Sequence, residues 1–154
     1  MSAPVVAIEQ LGVAFRHGGR RVEVTCESFE LHEGETVVLQ APSGAGKSTF
    51  LSLLGGALRP DRAGRFELRL GDGRTLDLAR AWREGDERTL AAARREGFGY
   101  VLQSGALAGF LTVRENILCP LLFAGRRAGV EIETLAAVLD IGDLLNLRPA
   151  QLST

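Results

Sequence analysis

Lysine is nearly missing from this chain. Of its 18 basic residues 17 are arginine, a bias attributable to genome composition, and the one lysine is Lys47. Charge excess is missing too: the formal net charge is -1, so no bulk field favours nucleic acid or an anionic membrane, and any anion site must be local. Cysteine is scarce. Cys26 and Cys119 lie far apart without metal-ligand spacing or a paired framework, which predicts buried free thiols in a reducing compartment. No apolar run approaches the roughly 18 residues of a membrane-crossing helix, and the opening MSAPVVAIEQ has no basic leader region. The expectation is a cytoplasmic chain with no membrane segment of its own. Internal repeats and low-complexity linkers are absent as well.

What is present is ordinary globular material. At 154 residues, with 45% hydrophobic and 24% charged residues, the chain can bury a core. Residues 5–15 and 22–31 are rich in β-branched and aromatic residues around RHGGRR, and predict two strands joined by a loop. ETVVLQ (35–40) is a short apolar run and predicts a strand buried on both faces. From Lys47, KSTFLSLLGGAL places Phe50, Leu51, Leu53, Leu54 and Leu58 at helical spacing, and Pro60 bars continuation. RFELRL and RTLDL around Gly71-Asp72-Gly73 predict a hairpin. Residues 86–96 predict a helix ended by Gly97, and 98–103 (FGYVLQ) another buried strand. Thr112 and Glu115 form a capping box opening a helix, and 131–140 predicts one more.

The strongest signal is APSGAGKST, residues 41–49, between an apolar run and a helix. A phosphate-binding loop needs amides pointing inward, a lysine to reach the β and γ phosphates, and a hydroxyl for Mg²⁺. Gly44 and Gly46 supply the close-approaching backbone, Lys47 the lysine and Ser48 the hydroxyl, and the helix N-terminus adds its partial positive charge. One position departs from the pattern: Ala41 stands where its first glycine belongs. Because Ala41 precedes Pro42 it is pushed toward extended backbone, which alanine occupies without strain.

With that loop in place, the remaining pieces resemble the nucleotide-binding domain of ATP-binding-cassette (ABC) transporters over nearly the whole chain. APSGAGKST looks like that family's Walker A motif, GYVLQ like its Q-loop with LTVRENI (111–117) following, and RPAQLS (148–153) like the approach to the signature L-S-x-G-Q. LLGGALRPDRAG and CPLLFAG resemble the lipoprotein-releasing and macrolide-export type. The resemblance implies an α/β P-loop NTPase fold: a RecA-like core with an antiparallel β subdomain over 1–104, then part of an α-helical subdomain over 105–154. It implies ATP and Mg²⁺ as ligands, with Ala41, Pro42, Ser43, Gly44, Ala45, Gly46, Lys47, Ser48 and Thr49 around the phosphates. It further implies Ser48 and Gln103 at the metal, Gln103 near the attacking water, and Phe15 stacked on adenine, with His17 as a rival. Ser153 would reach the γ-phosphate held by the opposing subunit of a head-to-tail dimer. A transmembrane permease is the implied partner, placing the chain on the cytoplasmic face of the inner membrane; nucleic acid is not implied.

In the family, the rest of the signature, an apolar strand ending in Asp-Glu and a switch histidine follow these motifs, and none is found before residue 154. Read as it stands, the chain ends before the Walker B strand, so it is expected to bind phosphates but to hydrolyse ATP negligibly alone. TVVLQ would then want a neighbouring strand, and poor solubility or a complementing partner chain is expected. Two other readings fit the loop: a non-catalytic nucleotide-binding or regulatory module, and another P-loop enzyme such as a small-molecule kinase.

Overall fold

The computed structural model describes residues 3–102, 106–125 and 132–152, with backbone alone at 17 and 20. The chain forms two compact units, 1–100 and 101–154.

In the first unit, the two expected strands are β1 (Val6–His17) and β2 (Arg20–Leu31), and the structure pairs them as an antiparallel hairpin. Gly18 and Gly19 turn it with φ of 56° and 77°. Consecutive positive φ values match the right-handed twist of the strands, and glycine supplies them without strain. β3 (Arg65–Arg69) and β4 (Thr75–Asp77) make the predicted hairpin, and β3 pairs with the first half of β1. The sheet order is β2-β1-β3-β4, antiparallel throughout.

β1 changes its inward face part-way. Val6 and Ile8 are buried before Gln10, and Leu11 and Val13 after it. Gln10 sits between with φ of 51°. Past this kink the strand's other edge is taken by residues 61–64: Gly12 N–H donates to Arg62 O at 3.0 Å, and Asp61 N–H donates back to Gly12 O at 2.9 Å. The Asp61 carboxylate also accepts Ala14 N–H at 2.7 Å.

The core lies against one face of this sheet. Ile8, Leu11, Phe66 and Leu68 meet Leu53 of α1 (Lys47–Leu54), Leu78 of α2 (Leu78–Glu84) and Leu90 of α3 (Glu87–Ala92). Each such side chain contributes about 1.5–3 kcal/mol by leaving water. Phe50 of α1 meets Phe29 of β2 edge to face, ring centroids 6.5 Å apart.

Several expectations are corrected. Residues 36–40 form no strand, and Val37, Val38 and Leu39 are exposed rather than buried on both faces. Among the described residues no strand pairs with them, so their amides and carbonyls have no ladder to join. The same holds for 98–102: Phe98 packs on the core, but Tyr100, Val101 and Leu102 are exposed and unladdered. α1 stops at Leu54, short of Leu58, because Gly55-Gly56 follows and Gly56 turns left-handed at φ of 64°. Leu51 faces outward. The predicted helix at 86–96 is α3, capped by the Asp86 carboxylate on Thr89 N–H and continued through Gly97 as a wider π-type turn. α2 was not expected, although Asp77 at its N-cap and Gly85 just past its end are a legible start and stop. Cys26 and Cys119 are free thiols as expected, but half-buried.

The second unit holds α4 (Val113–Phe123) and α5 (Ile132–Val138), the latter two residues shorter at its end than expected. Its small core joins Ile132, Ala136 and Leu145, with Val113, Leu118 and Ile141 alongside. Arg114 and Glu133 pair across the two helices at 2.6 Å.

Candidate functional site

The loop at 41–49 closes on itself through its lysine. Lys47 Nζ donates to the carbonyls of Ala41 at 2.7 Å and Pro42 at 2.9 Å, and Ala45 N–H donates to Pro42 O at 3.2 Å. The departure at Ala41 is thereby explained: the position serves through its carbonyl, and its φ is not positive, so no glycine is needed there. Gly44 and Gly46 take φ of 79° and 92°, where L side chains are strained. A side chain at Gly44 would meet nothing within 4 Å, so the loop is open above that glycine. Gly46 is different, since a Cβ there would lie 2.5 Å from Val24 Cγ2. It lets β2 press directly on the loop.

Gly46 is also the N-cap of α1, and no side chain caps that end. The first amides of a helix have no acceptor within it, and the helix dipole makes that end attractive to anions. Phe50 N–H closes the first turn on Gly46 O at 2.9 Å. Free first-turn amides, the Lys47 ammonium and the exposed Ser48 hydroxyl together offer donors to a phosphate chain and one hard oxygen to a cation. Thr49 is half-buried beside them.

The hairpin places Phe15 relative to this loop. Val24, which touches Gly46, pairs with Val13, and Phe15 lies two residues farther along β1 on the same face. At ~3.4 Å per residue it stands about 7 Å beyond the point of contact. Phe15 is 38% exposed, a ring at the surface rather than in the core. At the other end of α1, Tyr100 lies over Gly55, and its hydroxyl is 3.1 Å from Ser52 Oγ. Tyr100 is thus fastened to the helix that begins at the loop.

The family described as ABC transporter matches residues 25–154. The chain belongs to the ABC transporter family. It is 36% identical over 155 residues to the macrolide export ATP-binding/permease protein MacB of Brucella abortus, a match covering 98% of this chain and 22% of that protein. It is 36% identical over 157 residues to the lipoprotein-releasing system ATP-binding protein LolD of Novosphingobium aromaticivorans, covering 99% and 66%. Among solved structures, the dimeric bacterial ABC transporter cassette MJ0796 superposes with a TM-score of 0.70 at 26% identity, covering 96% of this chain and 63% of that one. The same cassette in a post-hydrolysis state bound to ADP and Pi gives 0.70 at 27%. The chain therefore spans under a quarter of the macrolide-export relative's length and about two thirds of the others'. These likenesses establish the P-loop NTPase fold and agree with the expected transporter type.

In this ABC chain the stretch from Ala108 to Asn116 is used structurally. Glu115 Oε2 accepts Thr112 N–H at 2.7 Å, and Glu115 N–H donates to Thr112 Oγ1 at 3.2 Å, the reciprocal box expected from sequence. Asn116 had no expected role. Its amide oxygen accepts Ala108 N–H at 2.8 Å, and its amide nitrogen donates to the Thr112 carbonyl at 2.9 Å, stapling the preceding loop to α4. The unit's low burial of α4, which has no buried residue, makes these bonds weightier. Gln103 and Ser153 lie outside the described residues, as does the side chain of His17. Among the described residues no cluster of three or more His, Cys, Asp or Glu could hold a metal ion, and no helix is long and apolar enough to cross a membrane.

Proposed function

We propose that this chain is the ATP-binding part of an ABC transporter's motor, working with a membrane permease and a second nucleotide-binding domain. The observation that carries the reading is the self-closed loop: Lys47 held on the Ala41 and Pro42 carbonyls at the N-terminus of an uncapped helix. An arriving triphosphate offers that ammonium charged oxygens in place of two neutral carbonyls, which adds ion-pair attraction to bonds that are already charge-assisted. Lys47 then bridges the β and γ phosphates, and the backbone from Ala41 to Thr49, with Pro42, Ser43, Gly44, Ala45 and Gly46, wraps the phosphate chain. Phe15 stacks on adenine from the end of the hairpin.

The donor set fits Mg²⁺ in one respect. Ser48 offers a single hydroxyl oxygen, and Mg²⁺ takes most of its other ligands from phosphates and water, so no protein cage is required. When bound, the ion draws charge from the phosphate oxygens. Gln103 is proposed as the second residue at the metal and attacking water, and Ser153 as the contact to nucleotide held by the opposing subunit. The relatives' names speak of macrolide export and lipoprotein release, and they support a permease partner and a place at the cytoplasmic face of the membrane.

The test is equilibrium binding of ATP to the chain and to Lys47→Ala. Removing charged hydrogen bonds of ~1.5–3 kcal/mol should weaken binding about ten- to a hundredfold. Phe15→Ala should weaken ATP without weakening inorganic triphosphate. ATP affinity unmoved by Lys47→Ala would sink the reading.

A further inference from the structure

A pocket lies in the first unit, away from the phosphate loop. Its volume is ≈ 390 Å³, and Gln10, Arg59, Asp61, Arg62, Trp82 and Arg83 line it. No residue of 41–49 contributes to it. Three of its side chains are cations. Arg62 is matched by Glu23 at 3.6 Å, and the one carboxylate in the lining, Asp61, is held by Ala14 N–H. Arg59 and Arg83 have no carboxylate partner among the described residues. Each makes one long bond to a backbone carbonyl, Arg59 to Trp82 O at 3.5 Å and Arg83 to Ala63 O at 3.4 Å. Elsewhere in the chain Arg65, Arg74, Arg80, Arg94, Arg95 and Arg114 each find a carboxylate. What sets Arg59 and Arg83 apart is that both line one pocket and meet no carboxylate among the described residues.

Two further features meet there. Trp82 Nε1–H is buried and has no acceptor among the described residues, a state that folding normally avoids. Gln10, also in the lining, holds the left-handed φ of 51° that a side chain resists. Strained backbone and unpaired buried donors gather where a protein binds something. The Arg59 and Arg83 guanidiniums that line the pocket are pure donors. The occupant must bring acceptors, and the pocket's volume suits a small molecule.

We propose that this pocket binds an oxyanion, the carboxylate or phosphate of a small-molecule ligand, between Arg59 and Arg83 and against the Trp82 ring. A planar guanidinium presents two parallel N–H groups to such an anion, and the indole with Pro60 and Ala63 gives an apolar wall for the ligand's body. The site is independent of the nucleotide reading. Its ligand does not compete with ATP.

The chain's single tryptophan lies in the pocket, so its emission reports occupancy. The 154-residue chain is titrated with inorganic phosphate and, separately, succinate, against chloride at equal ionic strength. A saturable change with phosphate assigns the phosphate source, and one with succinate the carboxylate source. The change should persist in Lys47→Ala, whose phosphate loop is disabled, and weaken about tenfold, or ~1.4 kcal/mol, in Arg59→Ala/Arg83→Ala. Both arginines are exposed, so the double variant keeps its fold, and an unchanged melting midpoint without ligand verifies this. Ligand should raise that midpoint in the parent chain and not in the double variant. No saturable change and no thermal shift with either anion, a change that survives loss of both arginines, or one abolished by Lys47→Ala would overturn the proposal.

Discussion

The four-stranded sheet and the two apolar segments at 36–40 and 98–102 are made of the same residue types and end in opposite states. In the sheet, Val6, Ile8, Phe66 and Leu68 are buried and laddered. In the segments, Val38 is 73% and Val101 94% exposed, with no ladder. The difference teaches that a strand is a property of a pair. Valine and leucine favour a pleated, half-buried surface only when a neighbour accepts their backbone bonds and covers their faces. Glycine turns gave the sheet strands such neighbours close in sequence, through Gly18-Gly19 and Gly71-Asp72-Gly73. The largest effect is expected from breaking the paired side: Phe66→Ala should cost about 3–5 kcal/mol in denaturant unfolding. Val38→Ala should stay within about 0.5 kcal/mol. Equal costs would erase the distinction.

The same contrast separates what could be read from the sequence. Local chemistry was legible: the β3–β4 hairpin through Gly71-Asp72-Gly73, the glycine turn into α1 through Gly44 and Gly46, and the α4 cap through Thr112 and Glu115. Features that depend on distant partners were not. ETVVLQ and FGYVLQ carry the composition of buried strands, but composition does not say whether a partner is present. The face change at Gln10 and the pocket between Arg59 and Arg83 arise because residues 61–64 dock on β1, which no short window reveals. Asn116 was silent because its acceptors and donors lie in an irregular loop.

The hairpin meets the 41–49 loop at Gly46, where Val24 presses on it. Gly46→Ala should therefore fail twice, through a Cβ 2.5 Å from Val24 Cγ2 and through φ of 92°. The left-handed conformation alone costs about 1–2 kcal/mol in an alanine. ATP binding should be lost with it. Adding Val24→Ala relieves the contact but not the backbone, so a double-mutant cycle should give a coupling of about 0.5–3 kcal/mol while nucleotide binding stays impaired. Additive costs would mean that the sheet does not set the shape of the loop.

The smallest effect sharpens a second side of the comparison, between a sheet held by burial and a helix held at its end. α4 has no buried residue, and its N-terminus rests on the Thr112 and Glu115 box. The Thr112 backbone N–H, then its hydroxyl, hold the Glu115 carboxyl below the ordinary glutamate value. The folded form thus favours the carboxylate. Its contribution is fully present above the unfolded value of ~4.3 and is lost as pH falls through the depressed folded value. Acidification below about pH 4 should therefore fray residues 113–115 first, seen as Cα shifts moving toward coil while those of Phe66 and Leu68 hold. Glu115→Gln keeps an acceptor for Thr112 N–H but cannot titrate, so it should flatten this acid dependence without removing the cap. If the sheet residues move at the same pH as 113–115, the two units do not draw their stability from different sources.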